Sequence, residues 1–193
     1  MENNKGTICV QGGWKRTKGE PRVLPIYQST TFKYDTSEQM GRLFDLEDSG
    51  YFYTRLQNPT NDAVASKICE LEGGAAAMLT SWGQEANFYD VFNICEAGCY
   101  FICSSNVYGG TFNLFGVTMK KMGIDVTFVD PDISPEDLEK EFRPNTTCFF
   151  GESISNPSFF LSDFEKFSKA SHYHLVPLIV DNTFPTPINC RPF

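Results

Sequence analysis

Pro177-Leu178-Ile179-Val180-Asp181-Asn182-Thr183 decides the fold class of this chain: it is a short apolar run that ends on a carboxylate. Apolar runs without polar alternation read as strands buried on both faces of a parallel sheet, and ligands bind at the carboxyl ends of such strands. The run is therefore expected to pack centrally, with Asp181 at the edge of a site. A carboxylate held there can pair with a cationic ring nitrogen of a ligand.

Working upstream, helical and strand-like patterns alternate. Ser162 is expected to cap a helix bearing Phe164 and Phe167 that leads into this strand, and Thr147 to Glu152 reads as the strand before it. Ser134, Pro135 and Asp137 supply a cap, a first-turn proline and an acid for the helix dipole. Asp125 to Val129 and Tyr100 to Ser104 read as strands, with a helix marked by Phe115, Met119 and Met122 between them. A further helix carries Phe88, Val91, Phe92 and Cys95 and stops at Gly98, and Ala76 to Ser81 reads as a small-residue strand. Thr60 is expected to cap a helix with Val64, Ile68 and Leu71 on its buried stripe and Gly73-Gly74 as its stop. The first 50 residues, broken by Gly12-Gly13, Gly19, Pro21 and Pro25, read as an extended arm. Strands alternating with helices make this a mostly parallel α/β sheet covered by helices. The expected division is 1–59 as arm and 60–193 as an α/β domain.

Composition narrows the function. The chain has 193 residues, 41% hydrophobic and 21% charged, with 18 Phe, enough for a substantial core. A net charge of −8 disfavours nucleic acid and anionic membrane surfaces as partners. No apolar run approaches a bilayer span, and Met1 to Gly13 lacks the apolar core of a signal peptide. Seven scattered Cys suit a reducing cytoplasm better than a disulfide scaffold. Cys95, Cys99 and Cys103 have helical ligand spacing, but Gly98 interrupts it, so they read as buried thiols. His172 and His174 have no acidic or thiol partner nearby in sequence and read as a polar helix exit, so no metal site is expected.

Four loops carry candidate chemistry. Tyr53 and Arg55, two apart, would project to one side of an extended segment, where a phenol and a guanidinium fork suit a phosphate. Taken alone, they read more readily as a surface aromatic and a solvated arginine. Thr80-Ser81-Trp82-Gly83-Gln84 lies between a strand and a helix, so its amides could meet an anion at the helix N-terminus. Tyr108, beside Gly109-Gly110, could lie over a flat heteroaromatic ligand or be a half-buried turn residue. Asn156, in Glu152-Ser153-Ile154-Ser155-Asn156-Pro157, could donate to a phenolate oxygen or simply start a turn. Neither the dinucleotide glycine fingerprint nor a P-loop occurs.

Together, Tyr53-Thr54-Arg55 with Asn58-Pro59-Thr60, Tyr108-Gly109-Gly110-Thr111, the Asn156-Pro157 turn and Val180-Asp181-Asn182-Thr183 resemble the Cys/Met-metabolism family of pyridoxal phosphate (PLP) enzymes. The resemblance covers nearly the whole chain. Val23 to Phe32, Tyr108 to Phe115 and Pro187 to Phe193 look most like the O-acetylhomoserine sulfhydrylase branch. It implies the large domain of the fold type I, aspartate aminotransferase-like transferases. It also implies that Asp181 keeps the cofactor's pyridinium protonated, Tyr108 stacks on its ring and Asn156 contacts the ring oxygen. The amides of Gly83 and Gln84 would hold the phosphate, and Thr183 would buttress Asp181. Tyr53 and Arg55 would reach the phosphate in a neighbouring subunit, implying a homodimer paired into a dimer of dimers. An amino acid would be the substrate.

Two departures stand out. Trp82 occupies a position that is small in the family, where it is expected to overpack or crowd the phosphate. The Schiff-base lysine and the smaller C-terminal substrate domain would follow the part matching Phe193. None of the lysines present, Lys120, Lys121, Lys166 and Lys169 among them, occupies a matching position. The 193 residues alone are thus expected to be inactive. Methionine γ-lyase and cystathionine γ-synthase share these motifs. A truncated relative acting as a non-catalytic binding or assembly subunit is the alternative of another class. A generic nucleotide-binding domain would leave Tyr53, Arg55 and Asp181 unexplained.

Overall fold

A computed structural model describes residues 4–193, within which the chain up to Leu79 and the span Thr80–Pro192 make two compact units. In the first unit, helices α1 (Lys5–Gln11) and α2 (Ser37–Phe44) interrupt the expected arm, and α1, whose Ile8 is buried, packs on α3 (Pro59–Glu72). Helix α3 starts two residues earlier than expected. Asn58 is its cap, accepting the Thr60 amide at 2.8 Å, and Pro59 fills the first turn. The Thr60 hydroxyl instead accepts the Tyr27 amide at 2.9 Å. Gly73 ends the helix at φ +80°, a conformation that a Cβ would strain. The buried face of α3 is Ala63, Ala65 and Leu71, while Val64 and Ile68 are 45% and 42% exposed. The expected stripe thus shares only Leu71 with the face that packs.

The second unit is a three-layer sandwich around four parallel strands in the order β2-β1-β3-β4. The strands are β1 (Tyr100–Ser104), β2 (Asp125–Val129), β3 (Thr146–Glu152) and β4 (Leu178–Asp181). On one face Phe101, Cys103, Cys148 and Phe150 pack with Val91 of α4 (Gly83–Phe92) and with Phe115 and Met119. These last two belong to α5 (Gly109–Asn113) as it continues through a π turn and a 3-10 turn to Met122. On the other face Tyr100, Ile102 and Phe149 pack with Leu138 of α6 (Pro135–Glu141) and Phe167 of α7 (Phe164–Tyr173). The alternation of faces along β1 leaves every residue buried, as a central parallel strand requires. A final short helix, α8, spans Thr186–Asn189.

Three expectations are corrected. Strand β4 is the last in the sheet order and half-buried, because among the described residues no strand pairs with its far edge. Residues 76–81 form no strand; a strand exists through its partner's hydrogen bonds, and among the described residues this run has none. Helix α7 is capped by Asp163, whose carboxylate accepts the Lys166 amide at 3.0 Å, while the Ser162 hydroxyl donates to the Glu152 carbonyl.

Candidate functional site

Because all four strands run the same way, their carboxyl ends lie along one edge, and a cavity of about 350 Å³ opens there. That size is in the usual range for small-molecule sites. It is lined by Trp82, Gly83 and Gln84 from the start of α4, and by Tyr108 before α5. Glu152, Ile154 and Asn156 contribute from the end of β3, and Asp181, Thr183 and Phe184 from the end of β4. Six of the eight candidate residues, Gly83, Gln84, Tyr108, Asn156, Asp181 and Thr183, thus share one cavity although a hundred positions separate the first from the last. Tyr53 and Arg55 belong to the first unit, where the Arg55 guanidinium donates to the Tyr53 hydroxyl at 3.0 Å and lies over its ring.

Asp181 is held from two sides. Its Oδ1 accepts the Thr183 amide at 3.0 Å and the Thr183 hydroxyl, and its Oδ2 accepts Asn87 Nδ2 at 3.2 Å. Asn87 is buried and also reaches Thr111 Oγ1 at 3.4 Å, which accepts Gln84 Nε2 at 2.8 Å. A polar chain therefore runs from the start of α4 through α5 to the end of β4. Asn87 and Thr111 escaped the sequence reading. Their signal was an amide in a helix interior one turn after Gly83, and the last residue of the Tyr-Gly-Gly-Thr segment.

Glu152 was also missed as a participant. It pairs with Asp181 in the strand register, and its carboxylate is almost fully buried. Oε1 accepts the Tyr108 amide at 2.7 Å, and Oε2 accepts the Asn156 amide at 3.0 Å. Burial pushes the Glu152 carboxyl above its ordinary range, the two amides pull it down, and the Asp181 charge raises it again. Asp90, one turn after Asn87 on α4, is raised by burial and then by Asp181. The negative field at this edge suits a ligand that is cationic where it meets Asp181.

The start of α4 differs in character. Its N-cap is Trp82, which makes no side-chain cap bond, so the amides of Gly83 and Gln84 open the helix toward the cavity they line. A Cβ at Gly83 would meet nothing within 4 Å, leaving room for a close anion. Trp82 is 69% exposed, which overturns the overpacking expectation: the indole stands at the cavity wall and not in a core. The Tyr108 ring is 48% exposed, presenting an aromatic face. An anion-ready helix end, an exposed ring and a held carboxylate together fit a phosphorylated, flat, cationic heterocycle. Among the described residues no lysine lines the cavity.

Other candidates lie elsewhere. Cys95 and Cys103 are core residues, with Cys99 packed against them. His174 has an acidic partner that only the fold supplies: its Nε2 pairs with Glu139 Oε2 of α6 at 2.6 Å, while its ring stacks on Phe142. Among the described residues no helix is long and apolar enough to cross a membrane.

Comparison with known proteins agrees with this geometry. The family described as Cys/Met metabolism PLP-dependent enzyme matches residues 6–193. An O-acetyl-L-homoserine sulfhydrylase of Corynebacterium glutamicum is 43% identical over 171 residues, 89% of this chain and 39% of that protein. An L-methionine gamma-lyase of Treponema denticola is 40% identical over 185 residues, 95% of this chain and 46% of that protein. A solved structure assigned as an O-acetylhomoserine (thiol)-lyase of Campylobacter jejuni, carrying N'-pyridoxyl-lysine-5'-monophosphate, superimposes with a TM-score of 0.94 at 34% identity. The match covers 99% of this chain and 47% of that one, so the chain spans less than half the length of these relatives. The chain belongs to the Cys/Met metabolism family of PLP-dependent enzymes, with the fold type I architecture and pyridoxal phosphate as the family's cofactor.

Proposed function

We propose that this chain is the N-terminal arm and much of the cofactor-binding domain of an O-acetylhomoserine sulfhydrylase-like enzyme. The whole enzyme would replace acetate on O-acetylhomoserine with sulfide or a thiol, giving homocysteine or methionine. The observation that carries the reading is the gathering of Gly83, Gln84, Tyr108, Asn156, Asp181 and Thr183 around one cavity. Bound pyridoxal phosphate supplies an electron sink for carbanions of the amino-acid substrate.

In this reading the amides of Gly83 and Gln84 hold the phosphate, and the Tyr108 ring covers one face of the heterocycle. Asn156 donates to the ring oxygen. Asp181, held by Thr183 and Asn87, keeps the ring nitrogen protonated, since a neutral nitrogen beside a carboxylate gains a proton favourably. Tyr53 and Arg55, already bonded to each other, are offered to the phosphate of a neighbouring copy in a dimer, itself paired into a tetramer. The exposed Val64 and Ile68 on α3 support a covering partner. Seven free thiols support a reducing compartment, the cytoplasm.

The Schiff-base lysine is assigned to a part of the enzyme outside these residues, and residues 1–193 alone have no turnover. Lys166 spends its hydrogens on the carbonyls of Pro131 and Ile133, and Lys140 and Lys169 pair with Asp137 and Glu165. The test is incubation of residues 1–193 with pyridoxal phosphate, borohydride reduction and peptide mapping. No single stoichiometrically modified lysine and no homocysteine from O-acetylhomoserine and sulfide are expected. Joined in frame to the remainder of the C. glutamicum relative, the chain should make homocysteine. Methanethiol released from methionine as the main activity would instead favour the γ-lyase reading, which the T. denticola similarity keeps in view. One modified lysine within residues 1–193 together with sulfhydrylation would overturn the proposal.

A further inference from the structure

We propose that Glu152 is a positioning residue whose buried carboxylate ties the Tyr108 loop to the Asn156 loop, one oxygen to each. It thereby sets the spacing of the two side chains that meet the cofactor ring, and this second part rests on the cofactor reading above.

The two loops leave different strands, β1 and β3, and each brings a part-buried backbone N–H to the same carboxylate. A buried N–H without a partner is costly, and the two converge on one side chain. Only a carboxylate offers an acceptor at both of two oxygens in a planar fork; an amide of the same shape offers one acceptor and one donor. That requirement explains a charge that is otherwise unfavourable. Glu152 is 5% exposed and stands in register with Asp181, so burial and a like charge both oppose its ionisation. A glutamine would avoid both costs, but it would turn a donor toward one of the two amides.

The rest of the loop contact is lighter. Ser158 Oγ donates to Asn106 Oδ1 at 2.6 Å, at an exposed position and between neutral groups. The Ser162 hydroxyl holds the Glu152 carbonyl and the Ser162 amide donates to the Ser153 carbonyl, which anchors this backbone to the segment before α7 without reaching the Tyr108 loop. Tyr108 and Asn156 both line the cavity, and Glu152 meets each through its backbone amide, so the clamp acts through their backbones and leaves their side chains free.

The test uses residues 1–193 as parent, Glu152→Ala and Glu152→Gln, without cofactor, and measures amide hydrogen exchange. In Glu152→Ala, exchange at both Tyr108 and Asn156 should quicken by roughly tenfold or more, as the loss of bonds to a charged acceptor predicts. In Glu152→Gln only one of the two should quicken. Amides within β1 and β3 serve as the reference and should hold. Unchanged exchange at both amides, or a uniform rise through the sheet, would overturn the clamp. If the alanine variant does not fold, the selective opening in the glutamine variant decides.

Titration with pyridoxal phosphate, read by quenching of Trp82 emission in a Trp14→Phe background, tests the second part. The dissociation constant should rise roughly tenfold in Glu152→Ala and less in Glu152→Gln, with altered circular dichroism of the bound cofactor. Equal binding by parent and Glu152→Ala, with the amides open, would remove the positioning role. A parent that binds no pyridoxal phosphate while the amides open as expected would sink the cofactor reading and leave the clamp standing.

Discussion

At the scale of single residues, two carboxylates one strand apart do different work because their partners differ. Asp181 accepts from side chains and one nearby amide and keeps a face toward the cavity, whereas both oxygens of Glu152 are taken by loop backbone. Trp82 is the residue least suited to its local role. Its backbone, at φ −157° and ψ 163°, is that of an N-cap, yet the indole makes no cap bond and is mostly exposed. Serine in that backbone would accept a first-turn amide. Trp82→Ser should therefore raise the unfolding free energy by about 1 kcal/mol, with little burial lost to offset the cap. Denaturant unfolding of the two proteins measures it, and a variant less stable than the parent would show that the indole packs against something that matters.

At the scale of elements, the junction before α5 is set by two adjacent glycines with different duties. A Cβ at Gly109 would meet nothing within 4 Å, but one at Gly110 would lie 2.5 Å from Cε1 of the Tyr108 ring. Gly110 is thus the space into which Tyr108 folds its ring, and a side chain there must turn the ring out of place. Gly109→Ala should leave pyridoxal phosphate affinity within about twofold of the parent. Gly110→Ala should forfeit the ring contact, roughly 0.5–1.5 kcal/mol, a loss of up to about tenfold in affinity. Equal losses in both variants would mean that α5 itself had been disturbed and that the ring's place is set elsewhere.

At the scale of the whole molecule, the proposed assembly makes the site composite. Tyr53 and Arg55 of one copy would reach the phosphate of the cofactor whose ring nitrogen Asp181 of the other copy holds. In the active, longer form, Arg55→Ala mixed with Asp181→Ala should regain activity that neither has alone, in up to roughly half of the mixed dimers' sites. Arg55→Ala by itself should weaken cofactor retention by roughly 1.5–3 kcal/mol, as a charge-assisted bond is lost. The check is activity after subunit exchange has been shown by mass. No recovery above either parent would place both residues in the same copy's site.

What the sequence determined by itself was local and periodic. Apolar runs at Tyr100 to Ser104 and Leu178 to Asp181, the Ser134-Pro135 start of α6 and the Gly73 stop are recorded in neighbouring residues, because backbone preference and helix capping act over a few positions. That six of the candidate residues line one cavity follows from their places at strand ends and helix starts, which the sequence shows. Tertiary structure alone decided which strand became the edge, why residues 76–81 stay unpaired, and that Val64 and Ile68 remain exposed, since each depends on a partner distant in sequence. The same holds for Glu152, Asn87 and His174, each of which finds a partner 44, 94 and 35 positions away, respectively. A carboxylate's role is written in what donates to it, and here most of those donors are brought together only when parallel strands end side by side.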